Sequence, residues 1–146
     1  MTYQESKAEL LRVEGLTKAF SGVEVLKNLT VSLHAGEILG VIGENGAGKS
    51  TFMKLISGVY SPTHGAILVD GILTEIPNTI TAQHLGISMI PQEFNLINTL
   101  RVYENIFLGR EMRRNGVLDR RGMIATARAL FEALDTDVDP EAMVGS

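Results

Sequence analysis

Period-two runs open the chain. Leu10-Leu-Arg-Val-Glu14 leads into Leu16-Thr-Lys-Ala-Phe20, and beyond a turn at Ser21-Gly22 the stretch Leu29-Thr-Val-Ser-Leu33 alternates apolar and polar residues. Alternation puts one set of side chains on a buried face and the other in water, so two antiparallel, half-buried strands are expected. Glu37-Ile-Leu-Gly-Val-Ile42 and Ile87-Ser-Met-Ile90 are more uniformly apolar and read as short buried strands, the second stopped by Pro91. Ala66-Ile-Leu-Val-Asp70-Gly71 reads as a further strand closing in an Asp-Gly turn.

Between and beyond these runs the period lengthens. Thr51 to Ser57 predicts a helix ended by Gly58, and Thr79 to Leu85 predicts one capped by Asn78 and ended by Gly86. Thr99 is the expected N-cap of a helix whose apolar face is Val102, Ile106 and Phe107. Residues 110–116 read as a charged, exposed connection. Asp119 caps a last helix with an apolar stripe of Met123, Ile124, Ala127, Leu130, Phe131 and Leu134, read as core in preference to partner surface. The first eight residues are polar and expected to be loose; the acidic stretch from Asp135 is expected to lack a closing element.

Composition narrows the class. The 146 residues, 45% of them hydrophobic, are enough for one domain with a real core. A net charge of −4 leaves no basic footprint, which argues against nucleic acid as the main partner. No cysteine is present, so disulfides and thiolate metal sites are excluded. The N-terminus has no apolar signal-like segment and no run approaches membrane-spanning length, so the expectation is a chain neither exported nor membrane-embedded.

The chemistry concentrates at Gly43-Glu-Asn-Gly-Ala-Gly-Lys-Ser-Thr51, which fits G-x-x-x-x-G-K-[ST]. Gly43, Gly46 and Gly48 let the backbone close around a phosphate chain, with Glu44, Asn45 and Ala47 completing the loop. Lys49 is a point charge for the outer phosphates, and the Ser50 hydroxyl is a ligand for Mg²⁺. Thr51 begins the helix whose N-terminal dipole faces the same anion. A strand before and a helix after the motif are the context it requires.

Other candidates weaken on inspection. Asp70 follows four apolar residues as a Mg²⁺-holding Walker B Asp would, but Gly71 stands where a catalytic Glu is expected, and the pair is read as a hairpin turn. Gln92, just past a strand's C-terminal end, is read from the residues alone either as a polar loop residue or as an amide within reach of metal or water. His34, His64 and His84 are scattered beside turns and helix ends and are read as surface residues.

In this order the motifs resemble the ATP-binding subunits of ABC transporters over essentially the whole chain. The resemblance places Phe20 where an aromatic stacks on adenine, with Phe in place of the commoner Tyr, makes Gly43 to Thr51 the Walker A, and makes Gln92 the Q-loop glutamine that reaches Mg²⁺. The runs Gly40 to Thr51, Gly86 to Glu93 and Glu104-Asn-Ile-Phe-Leu-Gly-Arg-Glu111 are similar to the tandem-domain ATPases of bacterial monosaccharide importers.

The resemblance implies an α/β fold: a partial P-loop NTPase core with an antiparallel β subdomain (about residues 9–93) and the start of a helical subdomain (about 94–146). ATP and Mg²⁺ are the implied cofactors. The implied partners are permease subunits met through the Q-loop and helical subdomain, a second nucleotide-binding domain, and indirectly a periplasmic sugar-binding protein. The implied location is peripheral, on the cytoplasmic face of the inner membrane. The family's signature, Walker B carboxylates and switch His do not occur within these residues. Leu55-Ile-Ser-Gly58 is read as a helix end and not as a signature. The expectation is therefore a chain that stops short of them, exposes an apolar sheet edge, binds ATP weakly and does not hydrolyse it alone. The alternatives are a non-catalytic nucleotide-binding module and an importer ATPase for a non-sugar substrate. Soluble relatives of translation or DNA repair are disfavoured by the Glu104–Glu111 run.

Overall fold

The structure is a computed structural model that describes residues 7–92 and 95–145. Residues 1–6, Glu93 and Phe94 of the Q-loop run, and Ser146 lie outside the described residues. The chain divides into two compact units, Met1–Ile90 and Pro91–Ser146.

In the first unit the period-two runs form a long hairpin, β1 (Glu9–Phe20) and β2 (Val23–His34), wound through the turn at Ser21 and Gly22. Both turn residues have positive φ, 48° and 82°, the mirror-image turn whose twist matches that of paired strands. The register slips between Val13 and Lys18. Side chains repair the ladder there: Gly15 N–H donates to Thr30 Oγ1 at 2.9 Å and Asn28 N–H to Thr17 Oγ1 at 3.0 Å. β3 (His64–Val69) pairs with the other edge of β1, and β4 (Ile72–Leu73) returns from it, giving the antiparallel order β2-β1-β3-β4. Asp70 (φ 51°) and Gly71 form the expected hairpin turn, so Asp70 is a turn residue.

Helix α1 (Lys49–Ile56) lays Phe52 and Leu55 on this sheet, where they join Val13, Leu16, Leu26, Ile67 and Val69 in one core. α2 (Thr79–His84) adds Ala82 to it, and the Asn78 side chain accepts from Thr81 N–H at 2.9 Å as the cap reading required.

Two expected strands are absent. Residues 37–42 and 87–90 carry no inter-strand ladder. Ile38, Ile42 and Ile90 are 98%, 96% and 95% exposed. An extended apolar run becomes a strand only where a neighbour completes its N–H and C=O pairs, and no described residue does so here. These runs expose apolar side chains but belong to no sheet, so the apolar sheet edge expected from the sequence is not formed.

In the second unit α3 (Val102–Ile106) packs on α4 (Arg120–Ala133), with Tyr103, Met123 and Ala127 buried and Ile106, Phe107, Ile124 and Phe131 packed against them. Leu130 and Leu134 of the predicted stripe are largely exposed. Asp119 caps α4, accepting from Gly122 N–H at 2.9 Å. The N-cap of α3 is Arg101 and not Thr99: Arg101 has extended backbone, and its N–H donates to the Glu104 carboxylate at 2.8 Å. That bond is the main reason the Glu104 carboxyl is held below its usual range. Residues 110–116 are more ordered than expected, since β5 (Arg113–Arg114) and β6 (Val117–Leu118) form a small hairpin through Asn115-Gly116. The acidic stretch after Asp135 also closes back on the unit. Val102 N–H donates to the Ala142 carbonyl at 3.0 Å and Tyr103 N–H to that of Pro140 at 2.9 Å.

Candidate functional site

The loop from Gly43 to Gly48 leads directly into α1, whose first residue is Lys49. Gly48 is the N-cap with φ 85°, and a β-carbon there would stand 2.8 Å from the Val25 carbonyl oxygen of β2. Conformation and space both require glycine, and they fix the helix N-terminus against the hairpin. Gly46, with φ 86°, turns the open side of the loop, where Ala47 N–H bonds to the Glu44 carbonyl at 3.2 Å. Glu44, Asn45, Gly46, Ala47 and Ser50 are exposed, whereas Lys49 and Thr51 are half-buried.

Lys49 folds back over the loop it terminates. Its Nζ donates to the Gly43 carbonyl at 2.6 Å and to the Glu44 carbonyl at 2.7 Å. The ammonium therefore lies above the loop backbone, at the positive end of α1, which is an arrangement suited to an anion with several oxygens. A carboxylate defines the entry to the loop's apolar run: Glu37 accepts from His34 N–H at 2.8 Å and lies 3.2 Å from the His34 ring nitrogen. The backbone bond foremost, and the His34 ring after it, hold the Glu37 carboxyl below the usual carboxylate range.

Phe20 ends β1 at the hairpin turn and is 38% exposed. It is not alone there. Tyr60 meets it edge-on, with ring centroids 5.2 Å apart and planes at 74°. No motif had marked Tyr60; the available signal was an aromatic two residues past the glycine that ends α1. Gln92 is exposed and belongs to the second unit. His64 and His84 are exposed, as expected, and His34 is half-buried against Glu37. Among the described residues no group of three or more His, Cys, Asp or Glu could hold a metal ion, and no helix is long and apolar enough to cross a membrane.

The phosphate-type loop on an antiparallel sheet is matched by comparison. Residues 26–142 fit the model of the family described as ABC transporter. The chain belongs to that family. This ABC-family chain is 51% identical over 135 residues to a ribose import ATP-binding protein of Rubrobacter xylanophilus, covering 92% of this chain and 27% of that protein. It is 42% identical to one of Corynebacterium glutamicum, covering 99% and 28%. A putative ribose/galactose/methyl galactoside import ATP-binding protein of Agrobacterium fabrum is 44% identical, covering 94% and 28%. The chain thus spans little more than a quarter of the length of these relatives. Among solved structures, a nucleotide-free ATP-binding cassette of an ABC transporter superposes with a TM-score of 0.76 at 22% identity, and a cassette in its ADP conformation with 0.78 at 22%. Each match covers 94% of this chain and 58% of the other. These likenesses establish that the chain has part of the ATP-binding-cassette fold, and the family inferred from the motifs is the family found.

Proposed function

We propose that the chain is the nucleotide-binding part of an ATPase subunit that couples ATP binding and hydrolysis to uptake of a sugar. One observation carries the proposal: a complete phosphate loop at the N-terminus of α1, with its lysine poised over the loop backbone and an aromatic at the neighbouring hairpin tip. The relatives' naming as ribose import ATP-binding proteins supports a pentose or related monosaccharide as cargo.

The residues fit the roles. The backbone from Gly43 to Gly48 wraps the phosphates, Lys49 neutralises their outer charge, and Ser50 and Thr51 stand at the helix start where hydroxyls meet phosphate or metal. Phe20 offers a ring face for adenine. Ser50 and Gln92 are the residues proposed to hold Mg²⁺, which when bound neutralises charge on the phosphate oxygens. The boundary proposed between the β subdomain with the P-loop core and the helical subdomain lies near residue 93. The second part and the Gln92 loop are proposed to meet the permease. A second nucleotide-binding domain and, indirectly, a periplasmic sugar-binding protein complete the assembly, at the cytoplasmic face of the inner membrane.

The test is uptake of radiolabelled ribose, galactose and xylose by cells whose only copy of the full-length protein carries Lys49→Ala, together with ATP-analogue binding by the purified variant. Loss of both is expected. Undiminished uptake of every sugar with undiminished binding would overturn the proposal.

A further inference from the structure

Phe20 is an exposed ring at the end of a hairpin, a poor platform unless something fixes its plane. Tyr60 is placed to do so. It is half-buried and packed on the core of the first unit, and its ring meets Phe20 at 5.2 Å in a T-shaped pair. Its backbone N–H donates to the Lys54 carbonyl of α1 at 3.0 Å, and Lys54 Nζ lies 5.5 Å from the Tyr60 ring centroid. Lys18 Nζ lies 5.2 Å from the Phe20 centroid and 5.8 Å from that of Tyr60, while donating to the Ser61 carbonyl at 2.7 Å. Two cations and two rings thus form one cluster, tied through Tyr60 and Lys54 to the helix that begins at Lys49.

We propose that Tyr60 is a positioning residue for the nucleobase: it sets the plane of Phe20 and ties that ring, through α1, to the phosphate loop, so that base and phosphates are held at a fixed separation. This rests on the reading of Phe20 as the adenine platform. Tyr60 acts through Phe20 and does not itself touch the base. The ring matters and the hydroxyl does not, because the aromatic and cation–π attractions reside in the ring.

The experiment compares binding of ATP and of inorganic tripolyphosphate to the full-length protein. Tyr60→Leu should weaken ATP by about three- to tenfold, the size of an aromatic pair, and leave tripolyphosphate unchanged. Tyr60→Phe should retain ATP binding. In a Phe20→Ala background Tyr60→Leu should add no further loss, since the group it positions is gone. Equal weakening of ATP and tripolyphosphate would mark Tyr60 as a packing residue only, and an additive loss on top of Phe20→Ala would mark direct contact with the base; either result overturns the proposal. A wild-type protein that binds neither ligand would instead overturn the nucleotide reading on which it rests. Normal ATP binding with no loss in Phe20→Ala would overturn the platform role and with it the role of Tyr60, and would leave the nucleotide reading standing.

Discussion

Two apolar runs of the first unit have opposite fates. In β1, Val13 and Leu16 are fully buried in one core with Phe52 and Leu55 of α1, Val13 paired with both β2 and β3 and Leu16 with β2; in residues 37–42, Ile38 and Ile42 stand almost fully in water. Their side chains are alike, so hydrophobicity does not distinguish them. The difference is neighbours: β1 has β2 and β3 to complete its ladder, and the run that enters the phosphate loop has none among the described residues. Burial free energy belongs to an arrangement of chains, and no residue has it in isolation.

The sharpest way to break this contrast is on its buried side. Leu55→Ala removes a fully buried side chain shared by α1 and the sheet, and should cost about 2–5 kcal/mol in a urea melt. The phosphate loop lies between the two regimes. Lys49→Ala should leave that melt nearly unchanged, since the side chain bonds only to carbonyls of an exposed loop, yet cost about 2 kcal/mol of ATP-analogue affinity in a fluorescence titration. A smaller effect is expected at Glu37, where the ordered hairpin hands over to the unpaired run. Its carboxyl is held low in the folded chain, so the stability it contributes is present above about pH 4.3 and lost as pH falls through the lowered folded value. Glu37→Gln should flatten that part of the acid melt, and a profile identical to the parent's would disprove the link. Least of all, Ile38→Gln should change the chain's own stability by less than about 0.5 kcal/mol, while reducing light scattering at high concentration. A loss comparable to that of Leu55→Ala would show that the run is buried after all.

The sequence carried whatever local chemistry decides. Asn78 and Asp119 cap their helices, Asp70-Gly71 turns its hairpin, and the phosphate loop stands at the start of its helix, each because a side chain or a glycine satisfies a nearby backbone demand. Two further elements also have local signals. Glu104, three residues after Arg101, marks the true start of α3, and Asn115-Gly116 announces the β5-β6 hairpin. The fate of 37–42 and 87–90 was not legible, because a ladder is completed from elsewhere in the chain. Nor was the Phe20–Tyr60 pair, whose members meet only through the packing of α1 on the hairpin.

The posture of Lys49 has a consequence for how affinity at this loop should be read. Two of its ammonium's three N–H donors already hold carbonyl acceptors, so a phosphate takes the one that is left and competes with those carbonyls for the others. The observed affinity is the difference between two charge-assisted sets of bonds. A calorimeter will therefore record less heat than the Coulomb attraction alone suggests, and replacing the lysine takes the donor from the Gly43 and Glu44 carbonyls at the same moment as it removes the anion's counter-charge.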